Sequence, residues 1–169
     1  TRVGINAFLD GFIPAENIFV VTSDEYKSLV REQLPMLPPE NILCEPSRKN
    51  TAPCIAWISY RLAQKNPEAC LLCAPADHLV LEPAHFVKTT LEAFEFVRRN
   101  KALITLGIKP THPNTGYGYI QYEQASVADN VYKVKTFTEK PNLELAQTFL
   151  QSGDFLWNAG IFVWSLKSI

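Results

Sequence analysis

The sequence predicts an α/β domain, a sheet of mostly parallel strands with helices packed against it. Short runs rich in β-branched and aromatic residues alternate with longer segments of helical periodicity. The alternation occurs four times before the pattern changes, as expected of strands joined by right-handed crossovers. The 169 residues amount to one domain, 1–169, and 47% apolar with 20% charged residues is an ordinary composition for a chain with its own core.

The run Ile18-Phe19-Val20-Val21-Thr22 reads as the first strand. Ser23 and Asp24 then offer N-cap oxygens to a helix carrying Tyr26, Leu29, Val30 and Leu34, which Pro35, Pro38 and Pro39 stop. Asn41-Ile42-Leu43-Cys44 is the second strand. Asn50 or Thr51 caps the next helix, with Pro53 tolerated in its first turn and Ile55, Ile58 and Leu62 as its apolar stripe. Residues 69–74 form a third strand, apolar on both faces as a buried parallel strand is. A helix from about 85 to 100 carries Phe86, Val87, Leu91, Phe94 and Val97, and 102–108 is the fourth strand. Residues 116–123 and 131–138 then read as an antiparallel pair around a polar loop. Asn142 caps a short helix that Gly153 ends, and 159–164 is the last strand.

Charge removes one class of function. Sixteen Lys and Arg stand against 17 Asp and Glu, so the chain has no cationic excess to neutralise a nucleic-acid backbone. Apolar runs fall far short of the ~20 residues of a membrane span, and no basic-then-apolar leader opens the chain, so a cytoplasmic location is expected. The cysteines are Cys44, Cys54, Cys70 and Cys73. Cys70 and Cys73 have the spacing of half a zinc site, but no second pair follows and His78 and His85 do not complete one. They are therefore expected to be buried free thiols, which suits a reducing compartment. The chain starts at Thr1 inside what reads as an element and stops at Ile169 without an evident end, so a fragment of a longer protein is expected.

Ligands of open α/β sheets sit beyond the carboxyl ends of the strands. After the second strand, the loop from Glu45 to Thr51 places Arg48, Lys49, Asn50 and Thr51 at a helix N-terminus, which favours anions; a solvated loop with a cap explains the same residues. After the third, Pro75-Ala76-Asp77-His78 puts an acid at the mouth of an apolar strand. Mg²⁺ needs only one or two carboxylates beside substrate phosphates and water, so Asp77 is a candidate ligand; a turn or cap aspartate fits equally. His78 reads as an orienting residue, since imidazole suits zinc better. Thr115-Gly116-Tyr117-Gly118-Tyr119 sets two glycines where a strand begins, allowing either close backbone approach to a ligand or a bulge. In Glu139-Lys140-Pro141, the acid suits sugar hydroxyls and the lysine a phosphate, or the two form a surface ion pair. In Trp157-Asn158-Ala159-Gly160, the amide suits hydroxyls, or the segment is a turn.

Together with Leu106-Gly107-Ile108-Lys109-Pro110-Thr111, these segments resemble the mannose-1-phosphate guanylyltransferase family, in that family's order and over nearly the whole chain. The resemblance implies a Rossmann-like nucleotidyltransferase domain, three-layer αβα with a mostly parallel mixed sheet, here incomplete at both ends. It implies GTP and mannose 1-phosphate as substrates, GDP-mannose and pyrophosphate as products, and Mg²⁺ as cofactor. Asp77, as metal ligand, and Lys140 would be the catalytic residues. Glu45, Arg48, Asn50 and Thr51 would lie near the guanine, and Gly116, Tyr117, Glu139, Lys140 and Asn158 would face the sugar phosphate. The sequence departs from the family pattern where Lys49 intervenes between Arg48 and Asn50, and where Ala159 stands in place of a frequent serine. By the same resemblance a Gly-rich triphosphate loop belongs before Thr1 and a second metal-binding Asp beyond Ile169. The isolated chain is therefore expected to be inactive, and the full-length protein to be a possible homo-oligomer. The alternatives are a related enzyme for another sugar 1-phosphate or nucleotide, and a catalytically silent regulatory homologue.

Overall fold

The computed structural model describes residues 12–47 and 49–169. In chain order the elements are β1 (Val20–Thr22), α1 (Lys27–Gln33), β2 (Ile42–Cys44), α2 (Thr51–Lys65), β3 (Cys70–Cys73), α3 (Pro83–Arg99), β4 (Leu103–Ile108), β5 (Gly118–Ala128), β6 (Val131–Glu139), α4 (Leu143–Ser152) and β7 (Phe155–Ser165). Each element expected from the sequence is present, and the differences are local. Helix α3 starts at Pro83 because proline is compatible with a first helical turn. Ser23 and Asp24 make no side-chain cap for α1; they open a 3₁₀ turn over Asp24–Tyr26 that leads into it. The Asn142 cap forms as expected, its Oδ1 accepting from the Leu145 N–H at 2.9 Å, and Gly153 ends α4 at φ 76°.

The strands form two sheets, and here the expectation of a mostly parallel sheet is corrected. β1 and β2 pair in parallel, Val20 with Ile42 through Thr22 with Cys44. The five-stranded sheet runs β3-β7-β5-β6, with β4 also on β7, and all its pairings are antiparallel. Both β3 and β4 run opposite to β7, so they share one direction, as the crossover through α3 requires. They are not neighbours, because β7, last in the chain, inserts between them. Alternation in sequence therefore predicted direction correctly and adjacency wrongly. Nor is β3 a buried central strand: its four residues are half-buried, and so are the four free cysteines.

β7 is the spine of this sheet. Trp157 is partnered by Ile108 of β4 and Tyr119 of β5, and Val163 by Ile104 of β4 and Leu72 of β3. β4 thus lines one edge of β7, while β3 and β5 share the other, end to end. Buried and half-buried side chains alternate along β7 through Ile161, the period-2 pattern of a strand with one covered face. Val163 packs with Ala93 and Val97 of α3. Phe155 and Trp157 pack with Tyr119 and with Ala146 and Phe149 of α4, the Phe149 and Phe155 rings stacking 3.9 Å apart. A smaller core under α1 gathers Val30, Leu34, Leu37 and Ile42. No helix among the described residues is long and apolar enough to cross a membrane.

Candidate functional site

The site follows from how β7 shares its second edge. β3 pairs with it from Ser165 to Phe162, and β5 from Trp157 to Phe155. Residues 158–161 lie between, opposite neither strand. The carboxyl end of β3 and the amino end of β5 both arrive at this gap. β3 delivers Pro75-Ala76-Asp77-His78 to it, and β5 enters from Gly116-Tyr117-Gly118. On the far side of β5, Gly118 pairs with Glu139 at the end of β6. Four of the sequence-derived segments are thereby drawn to one place.

The backbone of β7 is irregular at this gap. Thr105 pairs with Phe162 and Gly107 with Asn158, so β7 bulges over residues 159–161. Gly160 has φ 67°, a left-handed conformation suited to glycine, and a Cβ there would stand 3.4 Å from Pro75 Cγ. The bulge therefore sits against the segment that carries Asp77. Asn158 Oδ1 accepts from the Thr105 hydroxyl at 2.8 Å and from the Gly160 N–H at 3.1 Å. Asn158 thus lies in a bulged strand, in place of the turn that its sequence equally allowed.

Asp77 is exposed and makes no hydrogen bond or ion pair with another described residue. The described residues contain no group of three or more His, Cys, Asp or Glu able to hold a metal. A single free carboxylate suits a cation that arrives with substrate phosphates and keeps its water, and does not suit zinc. Glu139 and Lys140 pair at 3.7 Å with both side chains mostly exposed, so the surface ion pair allowed by the sequence exists. Such a pair is weak and easily opened by a ligand. Lys140 has φ 44°, and its N–H donates to the Tyr117 carbonyl at 3.2 Å, tying the end of β6 to the entry of β5. The Glu139 carboxylate lies over Gly118, where a Cβ would stand only 2.7 Å from Oε2.

The loop between β4 and β5 crosses over Trp157. His112 and Tyr117 each meet the indole edge-on, at 5.0 and 5.2 Å between ring centroids. Asn114 holds this loop in shape: its Oδ1 accepts from the Gly116 N–H at 2.7 Å, and its backbone N–H and carbonyl bond the Tyr119 hydroxyl at 3.0 and 2.9 Å. Tyr117 is thus placed against Trp157, the residue before Asn158.

The loop after β2 is tied to β1 by the Glu45 N–H donating to the Thr22 carbonyl at 3.0 Å. Asn50 precedes α2 at φ 68° without a side-chain cap bond, and both it and Thr51 are exposed. Arg48 lies outside the described residues. Two thiols, Cys54 in the first turn of α2 and Cys73 at the end of β3, have raised pKa values. Burial raises the Cys54 pKa, and the Glu45 carboxylate adds to it. Burial pushes Cys73 up to about 12, with Cys54 adding to it.

A nucleotidyl transferase family model matches residues 12–169. The chain belongs to the nucleotidyl transferase family. It is 38% identical over 155 residues to a mannose-1-phosphate guanylyltransferase of Escherichia coli, covering 88% of this chain and 33% of that protein. It is 40% identical over 156 residues to one of Salmonella montevideo, covering 88% and 32%. The chain thus spans about a third of the length of the curated relatives it matches. Among solved structures, one described as mannose-1-phosphate geranyltransferase from Thermus thermophilus superposes with a TM-score of 0.86 at 24% identity, covering 98% of this chain and 47% of that one. The likeness shows a shared fold, and with the family match this is the Rossmann-like α/β fold of nucleotidyl transferases, as the sequence predicts.

Three residues around this gap carried no weight in the sequence. Thr105 reads as a β-branched strand former, and nothing local marks it as a partner of Asn158 fifty-three positions away. Asn114 was detectable, since Pro113-Asn114-Thr115-Gly116 has the composition of an Asx turn. The position of His112 against Trp157 depends on pairing between β4 and β7, which no local pattern encodes.

Proposed function

We propose that this chain carries the sugar-phosphate side of a nucleotidyl transfer site within a longer protein that joins GTP and mannose 1-phosphate into GDP-mannose and pyrophosphate. The observation that carries this reading is that Pro75, two residues before Asp77, lies against the bulge after Asn158, while Gly118 enters β5 at the same gap with Glu139-Lys140 on its far side. The names of the relatives support the choice of substrates.

An oxygen of the sugar phosphate forms a bond to the α-phosphorus while the bond from that phosphorus to the oxygen bridging to the β-phosphate breaks, releasing pyrophosphate. The attacking oxygen is already anionic, so no side chain need accept a proton. Catalysis then rests on positioning and charge neutralisation. Mg²⁺, held by Asp77, would neutralise the phosphates. Lys140 offers its ammonium to the sugar phosphate once the Glu139 pair opens. Glu139 accepts from sugar hydroxyls, and Asn158 donates from its amide. Gly116 and Gly118 let the backbone approach the sugar closely. Glu45, Arg48, Asn50 and Thr51 serve the guanine.

Asp77→Asn in the full-length protein tests the assignment. It removes one anionic ligand and little volume, so the fold should persist while kcat falls by roughly 10²-fold or more, the scale of losing one preorganised electrostatic contact. Mn²⁺ relaxation should report weaker metal–nucleotide binding. Unchanged binding in that variant would overturn the role of Asp77.

A further inference from the structure

We infer that Thr105 is a positioning residue for the sugar-phosphate site, fixing the orientation of the Asn158 amide so that its N–H₂ group faces the ligand; this rests on the reading above.

The two ends of an asparagine amide are distinguished by their partners. The Gly160 N–H, 3.1 Å from one end, can only donate, so that end is the oxygen. The same oxygen lies 2.8 Å from the Thr105 hydroxyl, which must therefore be the donor to it. A second acceptor, the Ile161 carbonyl, lies 3.3 Å from the same hydroxyl. One O–H proton serves both at best unequally, and the shorter contact identifies Asn158 as its main acceptor. Oδ1 is then saturated by two donors. Nδ2 makes no hydrogen bond to another described residue, and Asn158 is only half-buried. An amide locked in this way offers donors alone, which suits phosphate oxygens or the lone pairs of hydroxyls. The lock joins three pieces: Thr105 on β4, the left-handed Gly160 beside Pro75, and Asn158 between them.

Without the hydroxyl, the amide keeps only the Gly160 contact and is free to turn. In the full-length protein, Thr105→Val is expected to raise the KM for mannose 1-phosphate about tenfold, the value of one ordinary hydrogen bond, and to leave the KM for GTP within about twofold. Thr105→Ser should recover most of the loss. Asn158→Ala should raise the same KM, and adding Thr105→Val to it should cost nothing further, because the two act through one group. Calorimetric titration with mannose 1-phosphate gives the same comparison without turnover, and Thr105→Ala replaces the valine variant if that one does not fold. A raised KM in Asn158→Ala with an unchanged one in both Thr105→Val and Thr105→Ala would overturn the positioning role. So would a serine variant as impaired as valine, or equal weakening toward GTP. An unchanged KM in Asn158→Ala would instead overturn the assignment of this gap to the sugar phosphate.

Discussion

Replacing Gly118 with alanine separates what the fold needs from what the site needs. Gly118 is buried at the start of β5, opposite Glu139. An added Cβ would stand 2.7 Å from Glu139 Oε2 and 3.2 and 3.3 Å from two atoms of the Phe137 ring. The first distance is closer than carbon and oxygen tolerate, so the carboxylate must move. The ring contacts are tight, and Phe137 is about half exposed and has room to yield. Overpacking a rigid core costs ~1–3 kcal/mol, and a flexible carboxylate that can swing into solvent puts this case at the low end, about 1 kcal/mol. For a protein of this size or larger, that is a fall in Tm of roughly 2–4 °C. The functional cost is larger. Under the proposed function, a displaced Glu139 would lose a hydrogen bond to a sugar hydroxyl, worth ~1.5–3 kcal/mol for a charged acceptor, or roughly ten- to a hundredfold in affinity. The assay is steady-state turnover against mannose 1-phosphate at saturating GTP, beside a thermal melt, in the full-length protein. A wild-type KM would refute the placement of the Glu139 carboxylate at the sugar. A Tm lower by more than about 10 °C would show that the carboxylate is not what gives way.

Two further predictions concern the scaffold. Asn142→Ala removes the side-chain oxygen that caps α4 and should cost ~1 kcal/mol, a small fall in Tm by thermal unfolding that Asn142→Ser largely avoids. Cys73, with its pKa raised from 9.0 to about 12, holds a thiolate fraction at pH 8 about a thousandfold below that of an ordinary thiol; iodoacetamide labelling followed by mass spectrometry should find it nearly inert, and labelling at the rate of an ordinary exposed thiol would contradict its burial.

The elements of this chain were legible because their signals are local. Asn142 and Gly153 bracket α4 by capping chemistry alone. Strand order was not legible, because an antiparallel strand arriving last can enter between two strands written earlier, and the run at β7 says nothing of its neighbours. The extent of β7 was also underestimated. Phe155-Leu156-Trp157 is a strand only because Tyr119 and Ile108 flank it, and the Asn-Ala-Gly that follows has a turn's composition while forming a bulge. At the site, glycines, acids and lysine were individually ambiguous, and the pairing of Gly118 with Glu139 is what relates them. Asn158 was readable as a candidate amide; which of its two ends is left without a partner was not, since that depends on Thr105 and Gly160.

The position of β7 has a mechanical consequence. Trp157, Phe162, Val163 and Trp164 have partners on both edges, which makes these stretches among the stiffer parts of the domain, and Asn158 stands directly after the first of them. If Asn158 meets the sugar phosphate as proposed, it does so from strand backbone and not from a loop.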